Sequence, residues 1–265
     1  INGSSEICDL LLNSRNLTID TDHFLKNAEE FSKIKASFFA SIYKKSSSSM
    51  KRKYLQNLLY PAIMNQNIEL VEYLLNLKAP FYESLFYAVN SGSLKIAELI
   101  LNYCSSPTFV NRVSANGTAL CIAAKNRNIN VLYRLLSIPE IDTSLCDEKG
   151  NTPLLIAIKN KDIDMANAII DFKGDNLSQN EIDMCLKELL SYGSNNNDII
   201  LVSMADFLIK RFASIKSFDP NHVYNNSSLI FYAIDNNDVA LVKNLLQLDQ
   251  TDPNIFADYK HLTPL

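Results

Sequence analysis

Asp147-Glu148-Lys149-Gly150-Asn151-Thr152-Pro153-Leu154 is the stretch of this 265-residue chain from which its fold can be read. Pro153 fits the first position of a helix, where its missing N–H sacrifices no hydrogen bond, and the Thr152 hydroxyl can cap the free backbone donors. A connector followed at once by a capped helix is expected here. Gly117-Thr118-Ala119-Leu120 is a weaker copy, and His261-Leu262-Thr263-Pro264-Leu265 reads as a copy cut short, after which a further unit is expected.

Working outward from Leu154, the pair Leu-x-x-Ala recurs as Leu25/Ala28, Leu59/Ala62, Leu85/Ala88, Leu120/Ala123 and Leu154/Ala157, with Ile230/Ala233 in the same series. The steps between the first five are 34, 26, 35 and 34 residues. At a fixed interval after each Ala come an apolar residue and two apolar doublets. In one unit these are Ile129, Val131-Leu132 and Leu135-Leu136; in another they are Ile163, Met165-Ala166 and Ile169-Ile170. Offsets of 6, 8, 9, 12 and 13 approximate the stripe of a helix buried on one side. Each unit is therefore a short first helix, in which the small Ala permits close approach, and a longer second helix. Such a pair cannot bury its own apolar face, so units must stack.

The connector at 147–154 is similar to the D-x-x-G-x-T-P-L signature of ankyrin repeats. The resemblance extends over roughly 54–265, and Asp219-Pro220-Asn221 and Asp252-Pro253-Asn254, 33 residues apart, fall where such units carry an Asp-x-Asn turn. It implies an all-α, ankyrin-like helix-turn-helix solenoid of about six units with incomplete units at both ends. The chain also departs from the pattern. The His that usually follows Thr-Pro-Leu is Leu155 in the best unit, and Cys121 and Phe86 in two others. The Gly expected between the two helices survives only as Gly92, with Gln66, Arg127, Lys161 and Asn237 in its place elsewhere. If those four keep a left-handed backbone, the strain is about 1 kcal/mol each.

Two stretches break the period. Residues 180–212 read as a unit in which Leu189 holds the Ala position and an expanded turn lies near 191–198, since an insertion at a loop tip costs little. Residues 1–53 are expected to hold divergent helical repeats, among them a second helix containing Phe38 and Phe39, followed by a Ser- and Lys-rich flexible connector at 44–53; 54–265 is the main array.

Composition sets limits on function. With 47% apolar and 20% charged residues the chain can bury a large core, and a net charge of −4 provides no single-sign field for nucleic acid. The five cysteines are odd in number and lack C-x-x-C spacing, which suits a reduced, cytoplasmic protein without a zinc site. No apolar run approaches the ~20 residues that span a bilayer. The chain begins with Ile1 and reads as an excerpt of a longer protein. A nucleophilic enzyme needs a base beside its Ser or Cys, and the histidines are His23, His222 and His261, two of them at expected hairpins. No catalytic residue, cofactor site or metal site is nominated. The chain is expected to be monomeric.

What remains is a surface. Ankyrin-like arrays use the hairpins and the exposed side of the first helix, which line one concave face. Carried onto this sequence, the resemblance nominates Asn65, Asn90, Ser91, Lys125, Asn126, Lys159, Asn160, Asp235 and Asn236 on the helix side. On the hairpins it nominates Glu148, Lys149, Tyr224, Asn225, Tyr259 and Lys260. The expected function is a non-catalytic scaffold binding a protein partner through that face. The alternative is a regulatory cytosolic segment of a larger enzyme or channel.

Overall fold

The computed structural model describes residues 35–193, 199–216, 218–224, 227–235, 237, 239–248 and 251–252. Every motif Ala among them, Ala62, Ala88, Ala123, Ala157 and Ala233, is fully buried in a first helix of six or seven residues. The chain divides into two compact units, one ending at Ile141 and the other beginning at Asp142.

The first unit holds α1 (Ala36–Lys45), α2 (Ser48–Asn57), α3 (Leu59–Met64), α4 (Ile68–Asn76), α5 (Ser84–Asn90), α6 (Leu94–Tyr103), α7 (Pro107–Val110), α8 (Ala119–Lys125) and α9 (Ile129–Leu136). First helices α3, α5 and α8 pack in succession, as do second helices α4, α6 and α9. The second unit holds α10 (Pro153–Lys159), α11 (Ile163–Lys173), α12 (Gln179–Gly193), α13 (Ile199–Phe212), β1 (Val223–Tyr224), β2 (Ser227–Ser228), α14 (Leu229–Asp235) and α15 (Val239–Leu246). There α10 packs on α11 and α12, α12 on α13, and α13 and α14 on α15.

The doublets at offsets 8, 9, 12 and 13 form the core. Leu70, Val71, Leu74, Leu75, Val131, Leu132, Leu135, Leu136, Met165, Ala166, Ile169 and Ile170 are all buried. The residue at offset 6 does not belong to that stripe. Ile68 and Val239 are exposed, and Leu94, Ile129 and Ile163 are half-buried, because each is the first residue of its helix and sits at the rim of the packed face.

Between the helices the backbone reverses through one left-handed residue. Gln66, Arg127, Lys161 and Asn237 have φ of 54°, 54°, 57° and 53°, beside 75° at Gly92, so the four substitutions for Gly keep the geometry that Gly would take without strain. The residue after the reversal offsets part of that cost by closing two motifs. The Asn67, Asn128 and Asp162 amides donate to the Ala62, Ala123 and Ala157 carbonyls, each at 3.0 Å, completing a Schellman-type end. Their side chains then accept from Leu70, Val131 and Met165 N–H at 3.1, 3.2 and 3.0 Å, capping the second helix.

Hairpins precede the first helices. Ser114 and Gly117 exchange two backbone hydrogen bonds, Asp147 N–H donates to the Asn151 carbonyl, and β1 pairs antiparallel with β2. Among the described residues, β1 and β2 are the whole of the sheet structure. The Thr152 and Thr118 hydroxyls both accept from the N–H three residues on, at 3.2 Å, as the Thr-Pro reading requires.

The segment expected to be a flexible connector is helical instead. Ser47 caps α2, and Met50 and Tyr54, four residues apart on its inner face, are buried, with the Tyr54 ring 5.7 Å from that of Phe39. A local excess of Ser and Lys conceals this stripe, which a partner on another helix decides. Helix α1 carries Phe38 and Phe39 and packs against α4. The expanded turn expected near 191–198 begins later, since α12 continues through Gly193, while 194–198 lie outside the described residues.

Candidate interaction surface

The ends of the first helices bear the polar residues nominated for binding, and packing of the apolar face beneath decides their exposure. Asn90, Lys125, Asn126, Lys159, Glu148 and Lys149 are exposed, while Asn65, Ser91 and Asn160 are half-buried. Tyr224 lies in β1 and Asp235 ends α14. Asn225, Asn236, Tyr259 and Lys260 are outside the described residues.

In the first unit this strip is laced from repeat to repeat. Asn126 Nδ2 donates to Asn90 Oδ1 at 3.4 Å, Asn128 Nδ2 to the Gly92 carbonyl at 3.0 Å, and Gln66 Nε2 to the Ser91 carbonyl at 3.4 Å. Gln66 and Asn128 were not among the nominated residues. Asn128 has a legible signal, since a capping Asn, Ser or Asp recurs five residues after each Ala at Asn67, Ser93, Asn128 and Asp162. Asn65 and Ser91 turn back on their own helices, donating to the Pro61 and Ala88 carbonyls.

The two lysines expected to face a partner are tied inward. Lys125 Nζ donates to the Asn116 carbonyl at 2.9 Å, which fastens α8 to its preceding hairpin. Lys159 Nζ donates to Asn151 Oδ1 at 2.7 Å and lies 3.5 Å from Glu188 Oε2. Asn151 in turn donates through Nδ2 to both Asp147 oxygens, at 3.1 and 3.2 Å. Asp147 also accepts from the Lys149 and Asn151 amides, each at 2.9 Å. This buried carboxylate holds the hairpin that presents Glu148 and Lys149.

Reactive groups are not assembled at this surface. Cys185 and Cys121 are buried. Burial, and secondarily Glu181, push the Cys185 thiol far above its ordinary range, so it is a protonated core side chain rather than a nucleophile. His222 Nε2 lies 3.0 Å from Asp183 Oδ2 at the Asp219 turn. Among the described residues no group of three His, Cys, Asp or Glu is placed to hold a metal, and no helix is long and apolar enough to cross a membrane.

Residues 85–181 match the family model for ankyrin repeats in three copies. The chain carries ankyrin repeats. Among solved structures it is similar to the ankyrin repeat domain of Bcl-3, described as a unique member of the IkappaB protein family, with a TM-score of 0.59. The identity is 19%, over 78% of this chain and 91% of that one, a likeness that shows the ankyrin repeat solenoid fold alone. No curated protein matches. Ankyrin repeats are in general protein–protein interaction modules, and the fold is typically non-catalytic.

Proposed function

We propose that this chain is a non-catalytic interaction scaffold that binds a protein partner through its concave face, formed by the first-helix ends and the hairpin tips. The observation that carries the reading is the strip on which the exposed Asn90 and Asn126 side chains bond to each other between repeats, while Gln66 and Asn128 bond to the Ser91 and Gly92 carbonyls of the neighbouring repeat. Side chains already ordered lose less rotamer entropy on binding, so a fixed polar surface suits recognition. In the second unit, Glu148 and Lys149 are presented on a hairpin stiffened by Asp147. The scaffold is cytoplasmic in this reading.

The inward bonds of Lys125 and Lys159 leave their charges at the surface, where Lys159 is 38% exposed. Converting both to Glu is expected to weaken association by about tenfold or more, through repulsion of an acidic partner surface. Calorimetry with a partner captured on the chain as bait reads this out, alongside circular dichroism to establish that helix content is retained. Unchanged affinity would move the site away from the first-helix ends.

A further inference from the structure

The segment from 35 to 68 departs from the charge balance of the chain. It carries six cations, Lys35, Lys44, Lys45, Lys51, Arg52 and Lys53, and no Asp or Glu, although the whole chain has a net charge of −4. Everything outside the segment therefore sums to −10. The cations concentrate where α1 meets α2. Lys44 lies in the last turn of α1, and Lys51 Nζ reaches back from α2 to within 5.4 Å of the Tyr43 ring centroid. Met50 and Tyr54 form the buried face of α2, one turn apart, so the three residues between them fan at about 100° steps over its outward half. Lys44, Arg52 and Lys53 are exposed, and Lys51 is half-buried.

The fold draws little on these charges. Lys44 offsets the negative end of α1. Lys51, Arg52 and Lys53 have no acid three or four residues away on α2, where an ion pair would stabilise the helix. Helix α3, packed on α2, has no charged residue, and Glu69 and Glu72 of α4, the helix packed on α1, pair with none of the four cations. The junction is thus a positive patch that no carboxylate among the described residues neutralises.

The patch favours one kind of anion. No large apolar side chain of α1 or α2 is exposed, so the junction offers nothing to insert into a bilayer and no ring on which the bases of a single strand would stack. Duplex nucleic acid gains affinity from many phosphate contacts, and the rest of this chain, net negative, repels it. A run of about five extended residues matches the ~15 Å length of α2 and meets the cations alone.

We propose that the α1–α2 junction docks a short run of Asp and Glu residues from a partner protein. Its carboxylates take Lys44, Arg52 and Lys53 as counter-charges, with the Arg52 fork suited to bidentate contact. Burial of Met50 and Tyr54 fixes the helix that displays these cations, so little ordering remains to be done on binding. The proposal rests on the reading of the chain as an interaction module, though not on the strip of first-helix residues.

Fluorescence anisotropy against the full chain tests it. The probe is a labelled peptide with six consecutive Asp and Glu residues between Gly-Ser flanks; its controls are the Asn/Gln counterpart and a longer peptide in which Gly-Ser pairs separate the same six carboxylates. The variants are Lys51→Gln/Arg52→Gln/Lys53→Gln and the charge-matched Lys95→Gln/Lys187→Gln/Lys243→Gln, whose lysines are exposed on other helices. Circular dichroism verifies that both keep their helix content. The compact acidic peptide is expected to bind, about tenfold or more weaker to the 51–53 variant and within about twofold of the parent for the control variant. The spaced peptide should bind more weakly, the Asn/Gln peptide not at all, and affinity should fall as NaCl is raised from about 50 to about 300 mM. No binding of the compact peptide, equal losses in the two variants, or tighter binding of a DNA duplex or of phosphatidylserine vesicles through residues 51–53 would overturn the proposal. If the acidic peptide fails while Lys125→Glu/Lys159→Glu still weakens a captured partner, the junction falls and the strip stands.

Discussion

Leu135→Ala and Leu245→Ala are each expected to lower the free energy of unfolding by about 2–5 kcal/mol, the range for truncating a fully buried leucine. Both side chains have no solvent exposure, Leu135 on α9 against α6 and α8, and Leu245 on α15 against α13 and α14. Truncation removes the transfer energy of the lost methyl groups and leaves a cavity that short, cross-braced helices can only partly close. Because repeats contact chiefly their neighbours, loss of protection should be concentrated in the adjoining helices. Denaturant unfolding with amide hydrogen exchange measures both. A loss below about half a kcal/mol in both variants would mean that the buried face has been assigned wrongly.

Asp147→Ala is expected to cost about 3 kcal/mol, more than an ordinary hairpin substitution. Its carboxylate accepts from two backbone amides and from the Asn151 side chain while only 6% of the residue is exposed. Hydrogen bonds to an ionised acceptor contribute about 1.5–3 kcal/mol each, and removing the acceptor leaves buried donors unpaired. Asn151 would lose its anchor, and Lys159 would lose the orientation of its own acceptor. Asp147→Asn keeps one acceptor oxygen and should recover part of the loss in the same unfolding measurement. An Ala variant as stable as the parent would show that the hairpin holds its shape without the carboxylate.

How much could be read beforehand differs from residue to residue. The burial of Ala62, Ala123 and Ala157, the caps at Thr118 and Thr152, and the left-handed turns at Gln66, Arg127 and Lys161 were all legible, because each is fixed by backbone geometry within a few residues. Helix α2 was not, because its inner face is defined by contact between Tyr54 and Phe39, and composition alone reports only its Ser and Lys. The offset-6 residues were misplaced because a stripe drawn by periodicity takes no account of where a helix emerges from its cap. At the surface, spacing placed Lys125 and Lys159 on the first-helix ends correctly but carried no information on where each ammonium would bond.

The proposal that the first-helix ends carry the interface is tested most directly by placing a photo-reactive side chain at Asn90, at Asn126, and separately at Tyr133, which is 55% exposed on the second helix α9. Irradiation of each variant in complex with a captured partner should give covalent adducts from positions 90 and 126 and none from 133. Adducts from 133 alone would contradict it, placing the interface on the second helices instead.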